Sequence, residues 1–244
     1  MIDKYLDAYG VQARLRPALL ALFPIFITVA VWLPALYEFW TGLVGLAVAC
    51  GITTAFTHIA RARGRIVQQE LIKEWGGLPT TLWLRQSNDN LDLQTKQRYF
   101  AFLENNVPNW TAPTENEEAA NLNKADQIYG SAVRWLLEYS RDVKKFPLIL
   151  KENISYGFRR NALGIRIYAI FFATIAIGID LYLLFGATTK NLAGNFPAQV
   201  TALVVSVLLL LWWFFAVNQS WVRDAADAYA RALLAACDTT SPPA

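Results

Sequence analysis

Few side chains in this sequence have the types and spacing that catalysis requires. The chain contains a single histidine, His58, and its two cysteines, Cys50 and Cys237, lie far apart. A catalytic zinc ion generally needs three protein ligands, which these residues do not supply. The serine-hydrolase GxSxG, zinc HExxH and phosphate-loop patterns are also missing from the sequence. We therefore expect no catalytic residue, no metal and no cofactor, and the chain is not predicted to be an enzyme.

Carboxylates are the remaining groups able to do acid–base chemistry. Glu115, Glu117 and Glu118 follow Thr114 in a capping-box pattern, where acids stabilise the positive end of a helix dipole. Asp180 is different because it interrupts an otherwise apolar run. An acid inside a membrane span is a candidate for an ion path or a proton relay. It lies about seven residues from the predicted outer end, so contact with interfacial water is the alternative.

Basic side chains are concentrated just before the apolar run that contains Asp180. Five of them are candidates for binding anionic lipid headgroups or a phosphorylated ligand, namely Lys145, Lys151, Arg159, Arg160 and Arg166. Membrane orientation alone would also place basic residues here, which is the alternative explanation. Four residues in the same stretch of sequence have types that favour a specific packing contact or a hinge, namely Tyr156, Gly157, Phe158 and Asn161.

The composition shows which elements must position these residues. Hydrophobic residues are 55% of the chain and charged residues 17%, against about 25% charged in soluble domains. Apolar runs cover 17–37, 39–57, 167–187 and 197–217. Each is long enough to cross a hydrocarbon core, which needs about 20 residues. We predict an all-α integral membrane protein with four transmembrane helices, arranged as two hairpins with a helical cytosolic insert between them.

The alternation of polar and apolar stretches divides the chain into five segments. We expect an interfacial N-terminal segment (1–16), a first transmembrane hairpin (17–59), a cytosolic helical domain (60–166), a second hairpin (167–217) and a cytosolic C-terminal helix and tail (218–244). The C-terminal helix is expected to continue the fourth membrane helix. In 60–166, apolar residues recur at helical spacing and no alternating run predicts a strand, so this domain is expected to be all helical.

Small side chains recur every four residues in the second apolar run, at Ala47, Gly51 and Ala55. Such a stripe lets the backbone of another helix approach closely. The pattern is therefore a candidate surface for helix packing, and the chain is predicted to form a homo-oligomer. The general abundance of alanine and glycine in membrane helices is the alternative explanation.

The distribution of cations predicts the orientation. Of 22 Lys and Arg residues, only Lys190 falls in a loop predicted to lie outside. By the positive-inside rule, both termini and the 60–166 domain are expected in the cytoplasm. A reducing cytoplasm is consistent with two unpaired cysteines.

Several segments resemble an uncharacterised family of bacterial four-span membrane proteins. They include 75–80 (WGGLPT), 95–99 (TKQRY), 125–129 (ADQIY), 145–148 (KFPL) and 152–161 (ENISYGFRRN). The resemblance implies a bacterial origin and the four-span topology, and it implies no activity. The architecture is also similar to that of bacterial antiphage membrane effectors.

Two classes of function follow from these features. The favoured one is a non-enzymatic membrane effector or sensor, for example in antiviral defence, that couples a cytosolic cue to the bilayer. Its expected partners are the lipid bilayer, further copies of the chain, and an anionic ligand or a soluble protein, with no nucleic acid. The alternative is a small ion channel or transporter that uses Asp180. A membrane-tethered enzyme is the third and most distant possibility.

Overall fold

The structure, a computed structural model, describes residues 9–33, 37–186 and 196–239. Helices dominate these residues, which contain no strand, and four helices are long and apolar enough to cross a membrane. The all-α class is therefore confirmed for these residues, and the four candidate spans agree with the predicted membrane protein. Pairing as two hairpins, the cytosolic insert and the orientation stay predictions. Residues 1–8 of the interfacial segment and Lys190 lie outside the described residues.

Nine α-helices occur in the described residues. They are α1 (Arg16–Trp32), α2 (Phe39–Trp75), α3 (Pro79–Leu82), α4 (Leu93–Asn106), α5 (Glu115–Ala120), α6 (Leu122–Tyr139), α7 (Pro147–Leu181), α8 (Phe196–Phe215) and α9 (Gln219–Leu234). A π-helical turn, Gly10–Leu15, precedes α1. The candidate membrane spans are Gly10–Trp32, Thr41–Leu82, Pro147–Phe185 and Phe196–Phe215.

Contacts between residues divide the chain into two compact units. Unit 1 draws its residues from Met1–Gln68 and Gly157–Val222, and unit 2 from Gln69–Tyr156 and Arg223–Ala244. This division differs from the predicted 60–166 domain because unit 2 is shorter at both ends and also contains most of α9. The physical reason is that Leu233 and Leu234 are fully buried in the core of unit 2.

The core of unit 1 receives side chains from all four long helices. They are Ala18, Ala21, Leu22, Phe56, Ala60, Ala162, Ile165, Ala169, Trp213 and Val217. On α7 the fully buried apolar positions are mostly alanine, and they continue through Ala173 and Ala176. Small side chains allow helix backbones to pack closely where lipid gives no hydrophobic driving force.

Hydrogen bonds and ring contacts give the direction of two helices relative to α7. Asn161 donates to the Ala13 carbonyl at 2.7 Å, and Thr28, further along α1, donates to Asp180 at 3.2 Å. Residue numbers rise together in these two pairs, so α1 is parallel to α7. The α2 helix is antiparallel, because Arg160 contacts Gln68 while the later residues of α7 contact earlier residues of α2.

The α2 and α7 helices approach closely where Gly64 faces Gly164. A β-carbon on Gly164 would lie 2.6 Å from the Gly64 nitrogen, although real β-carbons essentially never come within 3.0 Å of such a neighbour. A β-carbon on Gly64 would overlap Asn161 Oδ1. Glycine is therefore required at both positions for the two backbones to pack as they do.

Asn161 joins three helical segments at this crossing. Its side chain is fully buried, and its Nδ2 donates to the Ala13 carbonyl. Its Oδ1 has no N–H or O–H donor within the described part of the chain, and it faces Gly64. A Cα–H···O contact from Gly64 is consistent with this placement, because such contacts recur at close helix–helix interfaces.

Unit 2 is held by an aromatic core between α4 and α6. Phe100 stacks on Tyr129 with ring centroids 6.2 Å apart, and Trp110 donates its indole N–H to the Ile128 carbonyl at 2.8 Å. The capping box predicted at Thr114 is present at the start of α5. Because Asn121 then caps α6, α5 and α6 are separate helices.

The fourth membrane helix does not continue into the C-terminal helix, contrary to the expectation from the sequence. The α8 helix ends at Phe215, and α9 begins at Gln219 after a short turn. Asn218 causes the restart, because its Oδ1 accepts the Trp221 N–H at 2.9 Å and the Ser220 hydroxyl at 2.7 Å. An asparagine in this position supplies the acceptor that the first turn of a helix lacks.

Replacing either glycine of the α2–α7 crossing should destabilise the protein. We expect Gly64→Ala and Gly164→Ala each to lower the free energy of unfolding by about 1–3 kcal/mol, because the added methyl group overpacks the crossing. Gly178→Ala on α7 is the matched control, since its β-carbon would meet nothing within 4 Å. Thermal unfolding of the purified full-length protein, followed by circular dichroism, measures the difference. Equal unfolding temperatures for Gly164→Ala and Gly178→Ala would contradict the close approach.

Candidate functional site

Arg166, one of the predicted ligand-binding cations, lies beside the C-terminal end of α8. Its Nε donates to the Trp213 carbonyl at 3.1 Å and its Nη2 to the Phe214 carbonyl at 2.8 Å. The last four carbonyls of a helix have no partner within that helix. The other two of α8 accept from Ala216 and Asn218. Arg166 therefore completes the hydrogen bonding of this helix end.

Arg159 and Arg160 also bind protein groups. Arg159 donates to the Trp221 carbonyl at 2.8 Å, and its guanidinium lies 5.0 Å from the centroid of the Trp221 indole. Arg160 donates to the side-chain oxygen of Gln68 on α2. Arg159 thus holds the chain just after the α8 turn, while Arg160 links α7 to α2.

The two predicted lysines belong to unit 2, whereas the three arginines belong to unit 1. Lys145 is exposed and lies about 6 Å from the Tyr139 and Phe146 ring centroids. Lys151 is exposed on the part of α7 that belongs to unit 2. Anion binding by these five residues stays a prediction.

The four residues predicted to form a joint lie within α7, which is continuous through them. The division between the units falls after Tyr156, which stacks on Tyr229 within unit 2. In unit 1, a β-carbon on Gly157 would contact Ala13 at 3.1 Å, and Phe158 packs edge-on against Trp221. With Asn161 at the α2–α7 crossing, these side chains make specific packing contacts.

Asp180 is fully buried within unit 1. Its Oδ1 accepts the indole N–H of Trp32 at 2.9 Å, and its Oδ2 accepts the hydroxyl of Thr28 at 3.2 Å. Both donors come from α1. Within the described residues, Asp180 forms no ion pair. Asp180 is thus a carboxyl group with two neutral hydrogen-bond donors inside a candidate membrane span.

The polar side chain of α8 at the level of Asp180 is Gln199. Arg166 meets Trp213 in the last turn of α8, and Arg159 meets Trp221 beyond that turn, so the chain at 213–221 runs antiparallel to α7. Asp180 lies fourteen residues after Arg166 on α7, and Gln199 lies fourteen residues before Trp213 on α8. Gln199 is only 3% exposed, so both polar groups are buried at one level of unit 1.

The predicted packing stripe on α2 is exposed in the single chain. Ala47, Gly51 and Ala55 are all exposed, and a β-carbon on Gly51 would meet nothing within 4 Å. Packing within unit 1 instead uses Gly64, further along α2. The stripe therefore faces outward from the chain, and its role in assembly stays a prediction.

A buried polar network in unit 2 was missed by the sequence reasoning. Lys96 donates to the carbonyls of Arg85, Gln86 and Asn88 at 2.6–3.2 Å. On the other side of the same loop, Glu118 accepts from the backbone N–H groups of Gln86 and Ser87 at 2.7 and 3.1 Å. It also accepts the Ser87 and Tyr129 hydroxyls at 2.7 and 2.8 Å.

The electrostatics of this network are those of a structural clamp. Burial of Glu118 disfavours its charge, but the hydrogen bonds from Ser87, Tyr129 and Gln86 outweigh burial and hold its pKa below the ordinary value. Burial lowers the pKa of the Lys96 ammonium. Both side chains are fully engaged with protein groups. They are suited to fix the loop between α3 and α4 rather than to exchange protons with a substrate.

Two other features of unit 2 bear on chemistry. Burial raises the pKa of the Cys237 thiol to about 12, which makes this cysteine a poor nucleophile. A surface groove of about 550 Å³ is lined by side chains that include Trp110, Asn121, Lys124 and Ser131. Within the described residues, no cluster of His, Cys, Asp or Glu side chains is suited to a metal ion.

Removing the charge of Glu118 should destabilise unit 2 and reduce its acid sensitivity. The folded pKa is lower than the unfolded value of about 4.3. The carboxylate therefore contributes stability above about pH 4.3, which is lost as the pH falls through the folded pKa. We expect Glu118→Gln to cost about 1.5–3 kcal/mol at pH 7, because it places an amide group against four donors.

Denaturant unfolding of the full-length protein between pH 3 and 7 measures this effect, with pH values chosen to bracket the usual glutamate range of about 4.3. The exposed Glu115→Gln on the same helix is the matched control. A loss of stability with acid that is equally steep in the wild type and in Glu118→Gln would contradict the assignment.

Comparison with known proteins gives no family: no protein-family model, curated protein or solved structure matches the chain. The resemblance carried by 75–80 and 152–161 stays a prediction. The candidate groups are therefore defined by geometry, as the arginines around the end of α8, the Lys96–Glu118 clamp and the buried carboxyl group of Asp180.

Proposed function

We propose that this chain is a non-enzymatic membrane protein that couples a ligand or partner bound by unit 2 to the state of its membrane-spanning helices. The observation that carries the proposal is that α2 and α7 each contribute residues to both units. The division falls after Gln68 on α2 and after Tyr156 on α7. Since a helix is bonded along its whole length, displacement or fraying on one side of the division is passed along it.

Unit 1 is built so that α2 and α7 respond together. Gly64 and Gly164 bring the two backbones into contact, and Arg160 bonds to Gln68 a turn away. Close-packed interfaces change between discrete arrangements instead of deforming gradually. A shift of either helix at this crossing is therefore a shift of both.

Unit 2 offers the surface on which a cue would act. The groove beside Trp110 and Asn121 is large enough for a small ligand, for which about 300–1,000 Å³ is typical. Exposed cations, Lys124 at the groove and Lys145 and Lys151 elsewhere in unit 2, favour an anionic ligand or an acidic protein surface. The Lys96–Glu118 clamp fixes the loop that precedes α4.

We further propose the setting in which this coupling takes place. Unit 2 and both termini lie in the cytoplasm, the spans lie in a bacterial inner membrane, and the exposed stripe at Ala47, Gly51 and Ala55 supports homo-oligomers. An effector of antiviral defence is the role that this arrangement fits. The enzyme alternative has less support, because the polar groups of unit 2 described above are engaged with one another.

Hydrogen exchange of the full-length protein in lipid nanodiscs tests the coupling. Glu118→Gln perturbs unit 2 at a residue that lies outside α2 and α7. If these helices transmit the perturbation, amide exchange in 60–68 of α2 and in 157–165 of α7 should accelerate severalfold, because loosened helix ends fray towards unit 1. The control Glu115→Gln should leave these amides unchanged. Faster exchange confined to unit 2 would refute the coupling.

Membrane depolarisation in bacteria that overproduce the chain tests the effector role. We expect the wild type to depolarise the membrane and the double variant Arg159→Ala, Arg160→Ala to lose this effect. Arg159 holds the chain after α8, and Arg160 links α7 to α2. The double variant Lys73→Ala, Lys144→Ala, which removes two exposed cations, is the charge-matched control. Equal depolarisation by the double variant at equal protein level would refute the role of these arginines.

The second candidate function is a small ion channel or transporter. It is favoured by a single observation, the burial of the Asp180 carboxyl group inside a candidate span without an ion-pair partner among the described residues. A buried ionisable group in a membrane span is costly and marks ion or proton paths. If this candidate is right, Asp180→Asn abolishes flux while leaving the protein folded.

A further inference from the structure

We propose that Asp180, Thr28 and Trp32 form an intramembrane proton-binding site in which Oδ2 of Asp180 is the atom that carries the proton. The inference deepens the channel or transporter candidate by naming its ion, although binding a proton does not require transport. It is carried by the two hydrogen bonds of the carboxyl group and by the burial of Asp180 and Thr28.

The two oxygens of Asp180 have chemically different partners. Trp32 holds Oδ1 through an indole N–H, which is a donor only, so Oδ1 must remain an acceptor. Thr28 holds Oδ2 through a hydroxyl group, which can donate or accept. When a proton binds to Oδ2, the hydrogen bond reverses and the new O–H donates to Thr28 Oγ1. Each oxygen then keeps one hydrogen bond in both protonation states without moving a heavy atom.

The site suits a proton better than a metal ion. Calcium takes about six to eight oxygen ligands, and other hard cations likewise prefer a shell of oxygen atoms. Here the indole N–H of Trp32 occupies one carboxylate oxygen and contributes no ligand. No cluster suited to a metal occurs in the described part of the chain. A proton needs only one oxygen and one acceptor, which Asp180 and Thr28 supply.

Within the residues that the structure describes, no charged side chain pairs with Asp180. From α1 it faces Thr28 and Trp32, and neither side chain titrates in the physiological range. From α8 the side chain at this level is Gln199, which is uncharged. The part of α2 in the candidate span has no charged residue between 41 and 57, and its only thiol, Cys50, is exposed. Proton binding at Asp180 therefore changes the net charge of this layer.

Further buried polar groups extend from this layer along α8. Gln199 is 3% exposed and Ser206, seven residues later, is fully buried. The Ser206 hydroxyl has no hydrogen-bond partner in the residues described. The two positions lie about two turns apart, so they share one face of the helix. These polar groups make the interior of unit 1 at this level unlike the aromatic and aliphatic interior around Trp213.

Infrared difference spectroscopy of the full-length protein in lipid bilayers tests the site directly. We expect a carbonyl band of a protonated carboxylic acid that disappears as the pH is raised and is absent in Asp180→Asn. The band should shift in Thr28→Val, which removes the acceptor of the Oδ2 proton, and in Trp32→Phe, which frees Oδ1. In D2O it should move to lower frequency, because the proton exchanges with solvent.

The absence of an Asp180-dependent band at every pH at which the protein is folded would overturn the proposal. A band that is insensitive to Thr28→Val would overturn the assignment to Oδ2. At pH values at which Asp180 is protonated, Asp180→Asn should keep the wild-type unfolding temperature, since an amide reproduces the acid's donor to Thr28 and acceptor for Trp32. At higher pH, where Asp180 is ionised, the two unfolding temperatures should differ. An unfolding temperature that depends on pH equally in both proteins would also overturn the proposal.

Proton flux into liposomes separates the site from the transport candidate. A pH-sensitive dye trapped inside vesicles reports flux driven by a potassium diffusion potential. Flux that is lost in Asp180→Asn supports both the site and transport. If the band titrates and flux is absent, the site is supported and the transport candidate fails.

Discussion

The direct contact of the α2 and α7 backbones at Gly64 and Gly164 is the constraint on which unit 1 depends. A methyl group at either position would force the helices apart. With the helices in contact, Asn161 can reach the Ala13 carbonyl and Arg160 can reach Gln68. In lipid, helix association relies on packing and on interhelical hydrogen bonds rather than on hydrophobic burial. This crossing supplies both in one place.

The arginines of α7 are basic residues that the predicted membrane orientation would require, and they also have structural roles. A cation at the cytosolic end of a span satisfies the positive-inside rule wherever its side chain points. In the structure, Arg166 points at two orphan carbonyls of α8, and Arg159 points at Trp221. Cations near the C-terminal end of a helix are also favoured by its dipole. The positive charges that the predicted orientation calls for thus also bind the end of α8 and the chain that follows it.

Local patterns in the sequence predicted the elements that depend on local physics. Four long apolar helices and the Thr114 capping box are present because chain length in lipid and backbone capping are decided within a few neighbouring residues. The end of α8 was not predicted. The cap that Asn218 provides there competes with strong helix formers on both sides, and the sequence pattern does not show which of them prevails.

Contacts between distant segments could not be read from the sequence. Gly64 lies in an arginine-rich flank, where nothing distinguishes it from Gly51, yet only Gly64 meets another helix. Lys96 has the appearance of a surface residue, and only the folded loop at 85–88 gives it three carbonyl partners. A signal was present for α9, because adjacent Leu233 and Leu234 in a polar helix indicate burial.

Glu118 and Asp180, the two buried carboxyl groups among the described residues, differ in how their charge is compensated. An ionised carboxylate has about four lone-pair sites for hydrogen bonds. Glu118 accepts four hydrogen bonds, so its charge is compensated and its role is to hold a loop. Asp180 accepts two within the described residues and is also fully buried. Protonation would remove the incompletely compensated charge of Asp180, and this residue lies inside a candidate membrane span.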